Sequence, residues 1–156
     1  PTGYQDNLEE DLDPIMLGLS IPGSTFLARA YSGQPAQLLE LTLAALKHTA
    51  EGRGMSYLEV LSPCVTYNDT YRDWRTSVYD VDAEEGYDPT NRAAAFTRMQ
   101  ELREDKRLPL GLIFKGERHA LESVALNKDF PPPALQDIGR PDLSGICNDA
   151  LQSFIR

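Results

Sequence analysis

The residues of this chain with the richest chemistry are few: two cysteines, two histidines and one run of carboxylates. Cys64 stands in the segment Leu61-Ser62-Pro63-Cys64-Val65-Thr66-Tyr67-Asn68-Asp69. Pro63 fixes its own φ and holds Ser62 out of the α region, so the backbone sets the direction in which the Cys64 thiol points. A thiolate held by a rigid turn at a sheet edge can serve as a metal or cluster ligand. Taken alone, a cysteine just after a strand is more often a small buried hydrophobe. Cys147 lies far away in sequence, and there is no Cys-x-x-Cys pair. In a reducing cytosol a disulfide between the two is not expected, and Cys147 reads as a packing or surface residue.

His48 falls near the end of a predicted helix, where a surface position stabilised by the dipole is the plainer reading than catalysis. His119, beside Glu117 and Arg118, reads as a solvated loop residue. Asp80, Asp82, Glu84, Glu85 and Asp88 lack the spacing and the glycine of a calcium loop, so they read as a solvated acidic face. Trp74 and the tyrosines around it (Tyr67, Tyr71 and Tyr79) suggest packing against a neighbouring subunit or domain rather than a stacking platform. No side chain is assigned a catalytic role.

The frame for these residues is a chain of 156, 41% hydrophobic, with 24 acidic against 15 basic side chains and a formal net charge of −9. That suffices for one domain with a core and no staples, and it is too apolar for a disordered chain. The acid excess argues against a surface that tracks nucleic-acid phosphates. No run approaches the ~18 apolar residues of a membrane helix, and no basic-then-apolar leader opens the chain. A soluble, cytoplasmic protein is expected. The opening Pro1 in place of Met suggests a processed chain or a fragment.

The elements that must position Cys64 are legible. Asp13-Pro14 is a capped helix start, followed by Ile15-Met16-Leu17-Gly18-Leu19 and stopped by Pro22-Gly23. Residues 25–31 predict a strand, 36–50 a helix and 55–62 a second strand. In that helix Leu39, Leu43, Leu46 and Ala50 recur at offsets of 0, 4, 7 and 11, and Leu38, Leu41 and Ala45 widen them into one broad buried face. Strand, helix, strand is a βαβ unit with parallel strands. Cys64 thus falls just past the C-terminal end of a parallel strand, where open α/β sheets gather ligands. Asp88-Pro89-Thr90 starts a further helix through Ala93, Phe96, Met99 and Leu102, basic at its far end. Residues 108–115 predict a strand, with Pro109 arguing for an edge position. Pro131-Pro132-Pro133 is a spacer, and a last short helix is expected at about 144–154. There is no internal repeat.

The run Ala28-Arg29-Ala30-Tyr31-Ser32-Gly33, the helix after it, and Leu61-Ser62-Pro63-Cys64-Val65-Thr66-Tyr67-Asn68 resemble the β subunit of the two-subunit 2-oxoacid:ferredoxin oxidoreductases. Tyr87-Asp88-Pro89-Thr90-Asn91-Arg92-Ala93-Ala94 and Leu108-Pro109-Leu110-Gly111 are similar to that family's C-terminal region. The likeness runs in the same order over residues 1 to about 120. It implies an α/β fold, the C-terminal half of a thiamine-diphosphate-binding, Rossmann-like parallel-sheet domain with an irregular C-terminal extension. Residues 1–66 would be the C-terminal βαβ part of the thiamine diphosphate domain, 67–125 the C-terminal region of the β subunit, and 126–156 the Pro-rich spacer and terminal helix.

The same resemblance implies thiamine diphosphate, Mg²⁺ and a [4Fe–4S] cluster in the complete subunit, with Cys64 the fourth cluster ligand. It implies oxidative decarboxylation of a 2-oxoacid, 2-oxoglutarate or pyruvate, with coenzyme A as acyl acceptor and electrons passing singly to ferredoxin. An α subunit would complete a heterodimer. The chain contains no Gly-Asp-Gly and no further cysteines of the cluster set. The segment alone is therefore expected to hold no cofactor and to be inactive. Two other readings stay open: a non-catalytic α/β interaction module in which Cys64 is merely buried, and half of a cluster-free thiamine diphosphate decarboxylase. Because ferredoxins are acidic, a docking surface here would need Arg92, Arg98, Arg103, Lys106 and Arg107 to cluster.

Overall fold

A computed structural model describes residues 12–67 and 69–119. The Pro-rich spacer, the helix expected near 144–154 and Cys147 lie outside the described residues. The chain runs α1 (Pro14–Ser20), β1 (Ser24–Tyr31), α2 (Pro35–Ala50), β2 (Met55–Leu61), α3 (Tyr71–Ser77), β3 (Val78–Asp80), a 3₁₀ turn (Val81–Ala83), α4 (Arg92–Glu104) and β4 (Leu108–Lys115). No helix among the described residues is long and apolar enough to cross a membrane.

The caps read from the sequence are present. Asp13 Oδ1 accepts from the N–H groups of Ile15 (2.9 Å) and Met16 (3.2 Å), with Pro14 in the first turn. Asn91 caps α4 by accepting from the Ala94 N–H, three residues beyond the predicted Asp88. Asp88 instead accepts from the backbone and hydroxyl of Thr90 and fixes the turn that leads into the helix.

All eight residues of β1 are buried, which places it at the centre of the molecule. It pairs parallel with β2, from Ser24 opposite Met55 to Tyr31 opposite Leu61. Its other edge pairs antiparallel with β4, and β4 in turn pairs parallel with β3. The order is β2-β1-β4-β3. Two parallel crossovers, β1-α2-β2 and β3-α4-β4, thus meet along one antiparallel seam.

This corrects two expectations. The sheet is mixed, though mostly parallel, and β4 is an inner strand. Pro109 survives there because the β1 ladder begins only at Gly111, opposite Arg29, so no partner on that side needs the missing proline N–H. The three-residue β3 carried no sequence signal. Val78-Tyr79-Asp80 is shorter than any readable alternation, and acidic residues follow it.

Side chains alternate along β1 to build a core on each face. Phe26, Ala28 and Ala30 pack with Leu41 and Ala45 of α2. Leu27 turns the other way, toward Ile15 and Leu19 of α1, Ala95, Met99 and Leu102 of α4, and Ile113. Burial on both faces is why β1 reads as a continuous run.

The buried stripe of α2 is Leu41, Ala45 and His48, with Leu38 beside it. Leu39, Leu43 and Leu46 are 58 to 63% exposed, which overturns the single broad face read from spacing. The helix carries two apolar rows on nearly opposite faces, and apolarity alone does not choose between them.

Arg29 is the one charged side chain of β1, and only 6% of it is exposed. Its Nη2 donates to Asp13 Oδ1 at 2.6 Å and its Nε to Glu59 Oε2 at 2.7 Å. The pair of carboxylates joins β1 to the cap of α1 and to β2. Arg92 provides a second brace. Its guanidinium donates to the carbonyls of Leu19, Ile21 and Ser24 at the end of α1 and stacks over Phe114 at 4.1 Å.

Two outcomes test this packing. Leu41→Ala should lower the unfolding free energy in urea by about 2–3 kcal/mol, whereas Leu43→Ala should stay within about 0.5 kcal/mol. Equal costs would contradict the assignment of the buried face. Arg29→Met should cost about 3 kcal/mol in the same measurement, because it strands two partly buried carboxylates. A neutral result would mean that the triad does not hold α1 to the sheet.

Candidate functional site

At the C-terminal ends of β1 and β2 the chain leaves the sheet twice. After β1 it turns at Ser32-Gly33, where the Ser32 N–H donates to Leu61 O at 2.9 Å and ties the two strand ends together. After β2, Ser62-Pro63 carries the backbone into a turn that presents Cys64. The thiol is exposed, as are the side chains of Val65 and Tyr67, 70% and 92%. The reading of Cys64 as a small buried hydrophobe therefore does not hold.

Beside this turn, α3 is fastened to the end of β1 by aromatic contacts. The Tyr31 ring lies 6.0 Å from that of Tyr71 and 6.2 Å, edge on, from that of Trp74. Trp74 and Tyr71 thus pack within the chain. On the far side of the sheet end, Arg29, Glu59, Leu61, Trp74, Arg103 and Pro109 line a cleft of about 210 Å³. Arg29 stands in the wall of this cleft, and Cys64, three residues beyond Leu61, is not among its lining residues.

The remaining candidates have structural employment. Asp82 accepts from the Leu112 N–H at 3.1 Å, and desolvation, with Asp80 nearby, pushes its carboxyl above the usual range. Glu84 accepts from Arg98 at 3.0 Å and from the Tyr79 hydroxyl at 2.9 Å. The hydrogen bonds from Thr90 hold the Asp88 carboxyl below the usual range. The acidic run thus braces β3, α4 and β4 in addition to facing solvent. Among the described residues no group of three His, Cys, Asp or Glu side chains could hold a metal ion. Arg92 and Arg98 are committed to α1 carbonyls and to Glu84 and Glu101, so they do not join Arg103, Lys106 and Arg107 in one cationic surface.

His119 is exposed, as expected. His48 is not: it is 3% exposed, against the expectation of a surface residue. Its Nε2 lies 3.1 Å from Thr25 Oγ1 and its ring 5.3 Å from that of Phe26. The signal that could have found it is spacing, since His48 follows Leu41 and Ala45 at offsets of 7 and 3 on the buried stripe. Gly54 makes room for this contact. Its φ is +124°, and a Cβ there would come within 2.3 Å of Thr25 Oγ1.

Residues 64–127 match the family described as the C terminal of the pyruvate ferredoxin oxidoreductase beta subunit. The chain is 32% identical to 2-oxoacid:ferredoxin oxidoreductase 2, subunit beta, of Aeropyrum pernix, over 88% of this chain and 48% of the relative. It is 34% identical to the corresponding subunit of oxidoreductase 1 from the same organism, over 90% and 47%. With the 2-oxoacid:ferredoxin oxidoreductase subunit beta of Saccharolobus solfataricus it shares 38% identity over 53% of this chain and 26% of the relative. The chain spans about half the length of the first two relatives. With identities of 32 and 34% over 88 and 90% of its length, the chain belongs to the family of 2-oxoacid:ferredoxin oxidoreductase β subunits.

Proposed function

We propose that this chain is the C-terminal portion of a subunit that oxidatively decarboxylates a 2-oxoacid, 2-oxoglutarate or pyruvate, to its acyl-CoA and CO₂, and that Cys64 ligates a [4Fe–4S] cluster in it. The observation that carries the reading is the exposure of the Cys64 thiol on a proline-stiffened turn at the C-terminal end of a parallel strand pair. A thiol packed in the core could not ligate iron without unfolding its surroundings; this one can. The buried-cysteine interaction module loses its premise for the same reason.

The described residues fit such a cluster in part. They offer one thiolate and no further group of ligands, so the other three must come from outside them. When bound, thiamine diphosphate would supply the electron sink for decarboxylation and the cluster a one-electron relay to ferredoxin. The chain's own contribution is positional. Pro63 restricts the backbone on both sides of its peptide, and the Ser32 to Leu61 hydrogen bond anchors the strand end from which the turn departs. Backbone N–H groups of the turn and the degree of solvent exposure would tune the potential. Thiamine diphosphate and Mg²⁺ find no Gly-Asp-Gly here and would be held by the rest of the subunit, and the grip on the 2-oxoacid would come from there or from the α subunit.

Cys64→Ser in the intact complex, purified anaerobically, should lower iron content and slow ferredoxin reduction by at least about tenfold. Decarboxylation read by carbonyl exchange, without transfer to ferredoxin, should persist. Full iron and full electron delivery in the variant would overturn the assignment.

A further inference from the structure

At the opposite end of the sheet from Cys64 lies a second cleft, of about 170 Å³, lined by Phe26, Ala44, Lys47, His48, Glu51, Arg53, Leu112 and Lys115. It sits where β1 and β2 begin and β4 ends. Three cations reach it from three places: Lys47 from α2, Arg53 from the loop after it, and Lys115 from β4. Arg53 is engaged by Glu51 and Glu117, each at 2.8 Å. Lys47 makes a long 3.8 Å contact with Glu51, and Lys115 makes no ion pair among the described residues. The cleft therefore holds positive charge that its own carboxylates leave uncompensated.

Its wall contains a second anomaly. The Thr25 hydroxyl donates to Met55 O at 2.7 Å, so toward His48 it can only accept, and His48 Nε2 carries the proton. The other ring nitrogen, Nδ1, then bears a bare lone pair. It is buried and meets no donor. A sealed, unpartnered imidazole nitrogen is a costly arrangement, and such groups call for an explanation.

We infer that this cleft is a binding site for a phosphate-type dianion, held by Lys115 and Lys47 beside the carboxylate-engaged Arg53 and coupled to uptake of a proton by His48. The coupling follows from the surroundings of the ring. Desolvation, then Lys115, then Arg53, hold the imidazole below its usual range, while Glu117 and Glu51 oppose them weakly. A dianion seated between the cations cancels their repulsion of an imidazolium, so binding and protonation favour each other. Lys47, Arg53 and Lys115 against Glu51 and Glu117 leave one positive charge, and an imidazolium at His48 makes two, which a phosphate-type dianion matches and a monocarboxylate does not. Inorganic phosphate and the phosphate of a nucleotide share that chemistry. The site does not involve Cys64, so it stands or falls separately from the cluster assignment.

The test uses the 156-residue chain carrying His119→Gln, which leaves His48 as its single imidazole. Sulfate is the probe, because it remains a dianion across the pH range in which histidine titrates. The NMR titration of the His48 ring should shift upward by about one unit in saturating sulfate, and sulfate should bind about tenfold more tightly to the protonated protein. Lys115→Met, a change at an exposed residue, should abolish the shift and leave the circular dichroism unchanged. Inorganic phosphate and a nucleoside monophosphate are then compared at one pH. Preference for the nucleotide assigns the site to a ligand's phosphate group, and equal affinity assigns it to the free ion. No sulfate-dependent shift, or an equal shift in Lys115→Met, would reduce the effect to ionic screening and overturn the site.

Discussion

A strand buried on both faces with an arginine in its middle constrains nearly everything else in this structure. A buried guanidinium without partners is costly, so the layer on the Arg29 side of the sheet must deliver anions to it. Two arrive, and each fixes an element. Asp13 both caps α1 and meets the guanidinium, so the start of that helix is located by the arginine as much as by its own backbone. Glu59 is the cross-strand partner of Arg29 in the parallel ladder, so the ion pair reports the register of β1 against β2. A slip by one residue would turn Glu59 to the α2 side and leave a buried cation half satisfied. Register in turn decides where β2 ends, and hence where Pro63 and Cys64 leave the sheet.

What the sequence made legible follows from this division. The capped start of α1, the strand pair and the α2 crossover all rest on local rules of capping, spacing and turn chemistry, and each lies within a residue or two of its expected place. The parts that were not legible depend on partners distant in sequence. Pro109 suggests an edge to any local reading, yet β4 is internal because the antiparallel ladder starts two residues later. Val78–Asp80 becomes a strand only because Leu108–Leu110 are there to pair with it. Arg92 looks like surface charge at a helix start, but three carbonyls seventy residues upstream receive it.

The candidate site divides in the same way. Place in the fold was legible: Cys64 follows directly on the end of β2, the parallel partner of β1. Exposure was not, because whether a post-strand thiol faces the core or solvent depends on how the following helix docks. Here α3 is drawn against Tyr31 through Tyr71 and Trp74, and the turn at residues 64–67 is left outside. Trp74, Tyr71 and Tyr79, which read as a surface for a neighbour, thus act inside the chain, while Tyr67 stays exposed beside the thiol in sequence.

The two ends of the sheet surround the same strand differently. At its C-terminal half Asp13 and Glu59 meet Arg29. At its N-terminal end one cation lacks such a partner. Lys115 has no carboxylate partner among the described residues, and burial, Lys115 and Arg53 hold the neighbouring imidazole below its usual range. The tautomer of His48 is set by a chain of contacts that begins with a glycine. Gly54 adopts a φ closed to other residues, which lets the Thr25 hydroxyl reach the Met55 carbonyl, and this commits Thr25 to accept from the ring. Stability alone would have been served by an apolar residue at position 48, packed on Phe26 like its stripe-mates Leu41 and Ala45. A histidine there gives the core one hydrogen bond, to Thr25, and leaves its second nitrogen buried without a donor. Its value lies in the proton it can take when negative charge arrives beside it.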